Sequence, residues 1–542
     1  MMTNISKYIC AACAVVGLTS CHDWLTEDTP GTTNRSEYFT SISTAVNVTN
    51  AAYVPLMWEF SQSGGYFSEW FFGDIASDDA LKGGESVAND LDGYDIDNFK
   101  TLNSNEKVLA YYRAQWQGIA RANLALTEIP TTRIDVASDT ELATQQRLLG
   151  EAYFLRAYYY FRLVRLFGGM PIVEDVIDSS SKWAQTRTTR DETYQFILDD
   201  LKRAEELLWD KKKYAVEDAG RATKGAAQAM LLKVNLYRAD FLAQEGKTAE
   251  AQAAYAEAKT WGKTLIDSRQ YSLDPQFFDN FMLAGENDGE SLFEIQYVED
   301  PTSDYGEGEG FTRGTFTLIL QRARNAKYGD GWGFDRPTQN LFDEFEEGDS
   351  RRDATILTVS DEEMGNPSVE LYCGNRYCNR KYAMYTETKG GNYYLTHHSR
   401  GPLNNKQIRY ADVLLMYAET CVETGDLEQA QWALNQVRSR AGMDAFPYTA
   451  TIGGKQVSFT NTADDLRQAI RHERRVELAM EGHRWFDLCR WGIAKQTIDA
   501  YIAGETTEAK AEFGAFQKGK HELFPIPSKE IDLSGIEQNP GY

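Results

Sequence analysis

The chain has 542 residues, 25% charged and 42% hydrophobic, with a formal net charge of −25. So large an acidic excess argues against nucleic acid and anionic lipid as partners, because both would repel it. The balance of charged and apolar residues excludes a disordered body, and the length allows one large core or two to four lobes.

Residues 1–20 read as an export signal, with Lys7 preceding an apolar run from Tyr8 to Leu18 that is too short to span a bilayer. The run ends Leu18-Thr19-Ser20-Cys21, which resembles a bacterial lipobox. On this reading Cys21 becomes the mature N-terminus, anchored to a membrane by acyl chains at about 0.8 kcal/mol per buried methylene. Residues 21–40 then form a tether and residues 41–542 the folded body. No later stretch supplies the roughly 20 apolar residues that a membrane span requires. Cys10 and Cys13 leave with the signal, so Cys373, Cys378, Cys421 and Cys489 do not amount to a disulfide scaffold. Cys373 and Cys378, in "CGNRYC", would allow a local bridge in an exported protein. A metal site with His397 and His398 is the sharper alternative, although the spacing matches no strong zinc pattern.

Along the body, helical periodicity is expected in segments around 107–129, 143–168, 191–268, 406–441 and 462–492. In the second of these Leu148, Ala152, Leu155, Tyr159 and Leu163 fall on one face, and Gly168, Gly169 and Pro171 stop the helix. In the fourth, Gly425 and Asp426 read as C-cap and N-cap between two amphipathic helices. The pairs resemble degenerate tetratricopeptide hairpins. Between them lie polar, glycine-rich stretches, 60–106, 273–337, 353–406 and 443–461, with strand-like runs such as "SLFEIQY". Loops of that length in a compact protein are usually functional.

The last helical segment, "RHERRVELAMEGHRWFDLCRWG" over 471–492, raises the question of catalysis. A zinc-protease helix places two histidines one turn apart, whereas His472 and His483 are eleven residues apart, roughly 16 Å along a continuous helix. One ion cannot bind both. The reading favoured by the pattern is a buried, charge-laced helix in which Arg474, Arg475, Glu477 and Glu481 pair with neighbouring helices. "GEGEGFTRG" holds glutamates that would repel a phosphate, and "DLDGYDID" gathers Asp90, Asp92, Asp95 and Asp97 without a complete calcium loop. No cofactor is expected, and no nucleophile elbow is present.

Taken together, these segments resemble the SusD/RagB family of outer-membrane lipoproteins over nearly the whole mature chain. The resemblance is carried, in order, by "CHDWLTEDTPG", "EAYFLRAYYYFRLVRLFGGMPIV", "GRATKGAAQAML", "DGESLFEIQY", "RPTQNLFDEFEEGDSRRDATI", "IRYADVLLMYAE", "RRVELAMEGHRWFDLCRWG" and "LFPIPSKEIDLSGIEQNPGY". It implies a mainly α fold, a helical scaffold of tetratricopeptide-like pairs with long irregular loops and a few short strands. It also implies a non-catalytic, surface-exposed protein that captures glycans as the lid of a SusC-like TonB-dependent barrel. Peptide cargo and, further off, a surface glycoside hydrolase are the alternatives. Asp23, Glu27 and Asp28 resemble the family's surface-export signal.

Sugar rings are recognised by aromatic faces and planar polar groups. The family's ligand-side loops correspond here to 60–106, 273–337 and 353–406. Their candidate contacts are Tyr66, Trp70, Asp79 and Tyr94 from the first loop, and Tyr305, Tyr328 and Trp332 from the second.

Overall fold

The computed structural model describes residues 38–61, 65–130, 134–177, 186–299, 313–364, 376–384 and 400–542. Its frame is a stack of helices: α1 (Ile42–Tyr53), α2 (Glu106–Glu128), α3 (Asp139–Phe167), α4 (Arg190–Leu207), α5 (Lys224–Gln244), α6 (Thr248–Asp267), α7 (Tyr410–Glu423) and α8 (Leu427–Arg440). Each of α2 to α8 packs on its predecessor in the stack, as a tetratricopeptide-like arrangement requires. Local signals set the ends. Ser138 accepts from the Glu141 amide at the start of α3, and acidic Asp139 and Glu141 complement the positive end of its dipole. Asp426 caps α8 by accepting from the Gln429 amide, as its sequence position predicts. Helix α1 has no counterpart in the sequence reading, because its apolar face consists of the small residues Ala45, Val48 and Ala52.

The stretches read as loops are more ordered than their composition suggests. Ala80–Gly83 pairs with Phe334–Pro337, Ser291–Ile295 with Asn405–Arg409, and Ile356–Thr358 with Tyr377–Asn379, all antiparallel. Residues 443–461 contain the hairpin Tyr448–Ile452/Lys455–Phe459. Apart from the 448–459 hairpin, these strands find partners well separated in sequence, so alternation could mark "SLFEIQY" as a strand but not name its partner. "DLDGYDID" is a capped helix, Leu91–Asp97, and its aspartates do not converge. Asp90 pairs with Lys107 at 3.0 Å, while Asp97 accepts from the Lys82 amide at 2.8 Å. Cys378 is buried with a free thiol, and Cys373, His397 and His398 lie outside the described residues.

Residues 471–492 do not form one continuous helix. Helix α9 (Ala463–Glu477) ends in a turn through Met480 and Gly482, at φ +62° and +78°, before α10 (Arg484–Arg490) begins. The apolar face of α9, Leu466, Ala469 and Ile470, joins a core cluster with Leu414, Ala418 and Val437. The charged residues of its last two turns, His472, Glu473, Arg474, Arg475 and Glu477, are buried too. Glu477 faces Arg351 at 2.8 Å, Arg409 at 2.5 Å and Arg440. Arg474 bridges Asp412 on α7 and Asp487 on α10 at 2.9 and 3.0 Å. Arg475 holds Asp78, Asp79 and Glu344 within 3.0 Å. Burial alone would raise the Glu477 carboxyl, but the surrounding guanidinium groups hold it well below the ordinary carboxylate range. Burial likewise opposes charging of His472, yet hydrogen bonds to Glu344 and Glu346 raise it to about 9.

Two outcomes follow. Glu477→Ala leaves buried guanidinium groups without their shared carboxylate and should cost about 3–5 kcal/mol in urea unfolding. Asp267→Ala, whose partner Lys263 stands in solvent, should leave the midpoint unchanged. For His472 the folded value lies above the free value of about 6.5, so its stabilisation is complete below that pH and lost as pH rises through about 9. The stability difference between wild type and His472→Gln should therefore shrink by roughly 3 kcal/mol between pH 6 and 10.

Candidate functional site

Three half-buried aromatic rings of the described loops gather at one place. A two-residue hairpin, Phe60–Ser61 with Gly65–Tyr66, sets Phe60 opposite Tyr66, ring centres 5.4 Å apart. Phe316 is fully buried beneath both, at 6.0 and 5.8 Å, with the Arg400 guanidinium 4.7 Å from its ring centre. Trp332 stands edge-on to Tyr66 at 5.3 Å with an interplanar angle of 85°. Phe60, Tyr66 and Trp332 are each partly exposed. The result is an aromatic platform of three accessible rings on a buried phenylalanine floor.

Backbone contacts explain why the sequence around Trp332 reads Gly-Trp-Gly. A Cβ on Gly331 would lie 2.2 Å from the Arg322 carbonyl oxygen, and Gly333 has φ +67°. The Trp332 amide donates to the Ile319 carbonyl at 2.8 Å, which fastens the indole to the short helix Thr317–Gln321. On the other side Lys107 Nζ donates to the Tyr66 carbonyl at 2.5 Å, tying the hairpin to the start of α2.

Of the residues singled out from the sequence, the structure unites Tyr66 and Trp332. Three others are corrected. Trp70 is 5% exposed, stacked on Phe71 at 3.9 Å, with its indole N–H donating to Thr317 Oγ1 at 3.2 Å. Asp79 is buried against Arg475, 2.8 Å away, and is part of the ionic layer. Tyr94 is buried and its hydroxyl donates to Glu512; burial and that carboxylate push the phenol up to about 12. All three sit where loop segments fold back onto the scaffold, and composition cannot distinguish such positions from exposed ones. Tyr328 is half-buried on the segment before Trp332, with Lys327 Nζ 5.2 Å from its ring centre, and Tyr305 lies outside the described residues.

Sequence reasoning missed Phe60, Phe316 and Glu59. The Glu59 carboxylate is 5% exposed and accepts from Thr315 Oγ1 at 2.8 Å, the Phe316 amide at 2.7 Å, Thr317 Oγ1 at 2.6 Å and Ser68 Oγ at 3.3 Å. Burial raises its carboxyl above the ordinary value in spite of these donors. The one sequence signal for Glu59 is a lone acid within "YVPLMWEFS", an otherwise apolar and aromatic run.

A cluster of partly exposed aromatic rings of this kind suits a ligand with flat apolar faces. Stacking surface is abundant, and no nucleophile with a paired base lies among the described platform residues. Among the described residues no helix is long and apolar enough to cross a membrane.

Known proteins give the same picture of the fold. The model of the SusD family matches residues 289–542, and a second, described as starch-binding associating with outer membrane, matches residues 36–236. SusD-like protein P2 of Formosa agariphila is 28% identical over 463 residues, 83% of each chain. Surface glycan-binding protein A from Bacteroides fluxus is 26% identical, with a TM-score of 0.75 over 93% of this chain and 100% of that one. A laminarin binding SusD-like protein is 27% identical, with a TM-score of 0.73 and the same coverage.

The burial contrast predicts a stability contrast. Trp70→Ala should cost about 3–5 kcal/mol in thermal or urea unfolding, because it opens a cavity and strands Thr317. Trp332→Ala should cost roughly half as much, since part of its ring is already in solvent.

Proposed function

The chain belongs to the SusD/RagB family, and from that premise we propose that it is a cell-surface glycan-binding lipoprotein, anchored through Cys21 to the outer membrane. The observation that carries the reading is the platform of Phe60, Tyr66 and Trp332 on Phe316. Tyr66 and Trp332 offer faces to the C–H side of sugar rings, and Tyr328 contributes from the segment before Trp332. Binding occurs without bond cleavage. Laminarin is the first glycan to try, because a relative alike over nearly the whole fold is a laminarin-binding protein.

The wider role we assign is that of a lid on a SusC-like TonB-dependent barrel, which passes captured oligosaccharide to the pore. An acyl tether at Cys21 holds such a lid at the membrane, while the aromatic platform provides the capture step. The helical stack supplies a rigid frame, so that ligand contacts rest on elements held in place by the ionic layer.

Calorimetric titration of residues 22–542 against laminarin, other plant, host and microbial glycans and a peptide digest tests the reading. Saturable binding to one glycan class is expected, weakened about tenfold or more by Trp332→Ala or Tyr66→Ala. Binding to the peptide digest alone would replace glycan with peptide as cargo. The intact lipidated chain should co-purify in mild detergent with a membrane barrel, and elution alone would remove the lid role.

A further inference from the structure

Glu59 is a carboxylate taken out of water without a compensating charge: among the described residues no ion pair joins it to a cation. Many other buried acids face arginine, as Glu477, Glu473 and Asp78 do, while Asp74 and Asp335 are, like Glu59, held by amide donors. What Glu59 receives instead is four hydrogen bonds, two on each oxygen. Oε1 accepts from Ser68 and Thr317, and Oε2 from Thr315 and the Phe316 amide. Ser68 lies just beyond the hairpin, whereas the other three donors are about 250 residues further along the chain.

The donors are not free to point elsewhere. Thr317 Oγ1 accepts from the Trp70 indole at 3.2 Å and Thr315 Oγ1 accepts from the Thr317 amide at 3.1 Å. Each hydroxyl therefore has its own proton left to give, and Glu59 takes both. The backbone of Glu59 also closes the base of the hairpin, its carbonyl accepting from the Phe67 amide at 2.9 Å. One residue thus joins the hairpin that carries Phe60 and Tyr66 to the turn that carries Phe316, and Phe316 is the ring on which both rest. The helix that begins at Thr317 in turn holds the Trp332 amide through Ile319.

We propose that Glu59 is the positioning residue of the aromatic platform. Its carboxylate locks the 60–66 hairpin to the 315–317 turn, so that the accessible rings keep one arrangement for the ligand. The ligand part of this proposal rests on the glycan-binding reading above; the coupling of the two segments does not. An amide at this position keeps one accepting oxygen but turns an NH2 group toward hydroxyls that also point at it, so Glu59→Gln retains half of the lock and Glu59→Ala none.

The test is hydrogen–deuterium exchange by mass spectrometry on residues 22–542 as wild type, Glu59→Gln and Glu59→Ala, with laminarin and the other glycans titrated into each. Exchange should rise about tenfold or more over 58–61, 65–68 and 313–333 in Glu59→Ala and less in Glu59→Gln, with α2 and α3 unchanged. Glycan affinity should fall in the same order. A general loss of stability would raise exchange in α2 and α3 as well and would overturn the positioning role. So would unchanged exchange in both segments, or wild-type affinity despite loosened segments. Should Glu59→Ala not fold, Glu59→Gln carries the same comparison. If wild type binds no glycan, the proposed function falls, and the exchange measurement alone decides the coupling.

Discussion

The structure depends on charge that cannot reach water. Glu477 is shared among Arg351, Arg409 and Arg440, which come from a short helix, a strand and α8. Glu473 beside it joins Arg351 to Arg438, and Arg438 continues to Glu346. Each ion is costly to bury alone, and only a closed set of partners makes the layer tolerable. The consequence is positional. Every segment that contributes a charge to this layer must arrive at one place, whatever the composition of the chain between.

That constraint connects the regular half of the molecule to the irregular half. Arg474 and Arg490 engage Asp412, Glu419 and Asp240 on the helical stack. Arg475 and Arg484 engage Asp78, one residue from Asp79 and two from the strand Ala80–Gly83. That strand pairs with Phe334–Pro337, immediately after Trp332. A chain of rigid contacts therefore runs from the scaffold through the ionic layer to the aromatic platform. The platform itself is held by lighter means, the Glu59 hydrogen bonds and the Trp332 amide.

Much of the frame was legible from residues alone. The long helices announce themselves by apolar spacing, caps and stops, and the segments around 107–129 and 143–168 match α2 and α3 within a few residues. The charge-laced character of 471–492 was legible as well, because arginine and glutamate at helical spacing within an apolar context must find partners. The break at Met480 and Gly482 was not, since helix-forming residues flank it and a lone glycine within a helical pattern is often tolerated. "SLFEIQY" was legible as a strand, but most strand pairings were not, their partners being far off in sequence.

By itself the sequence determined the class of fold and the family, because periodicity and ordered motifs are local properties of a chain. Only the tertiary structure decided which of the loop aromatics are buried and which reach the surface. Trp70 and Trp332 look alike in sequence, each an indole in a glycine-rich stretch; one is stacked in the core and the other stands at the surface beside Tyr66. Asp79 and Glu59 likewise differ only in what meets them, an arginine in one case and a set of hydroxyl and amide donors in the other. Burial and partnership are properties of the folded whole, and no window of sequence contains both members of the pair.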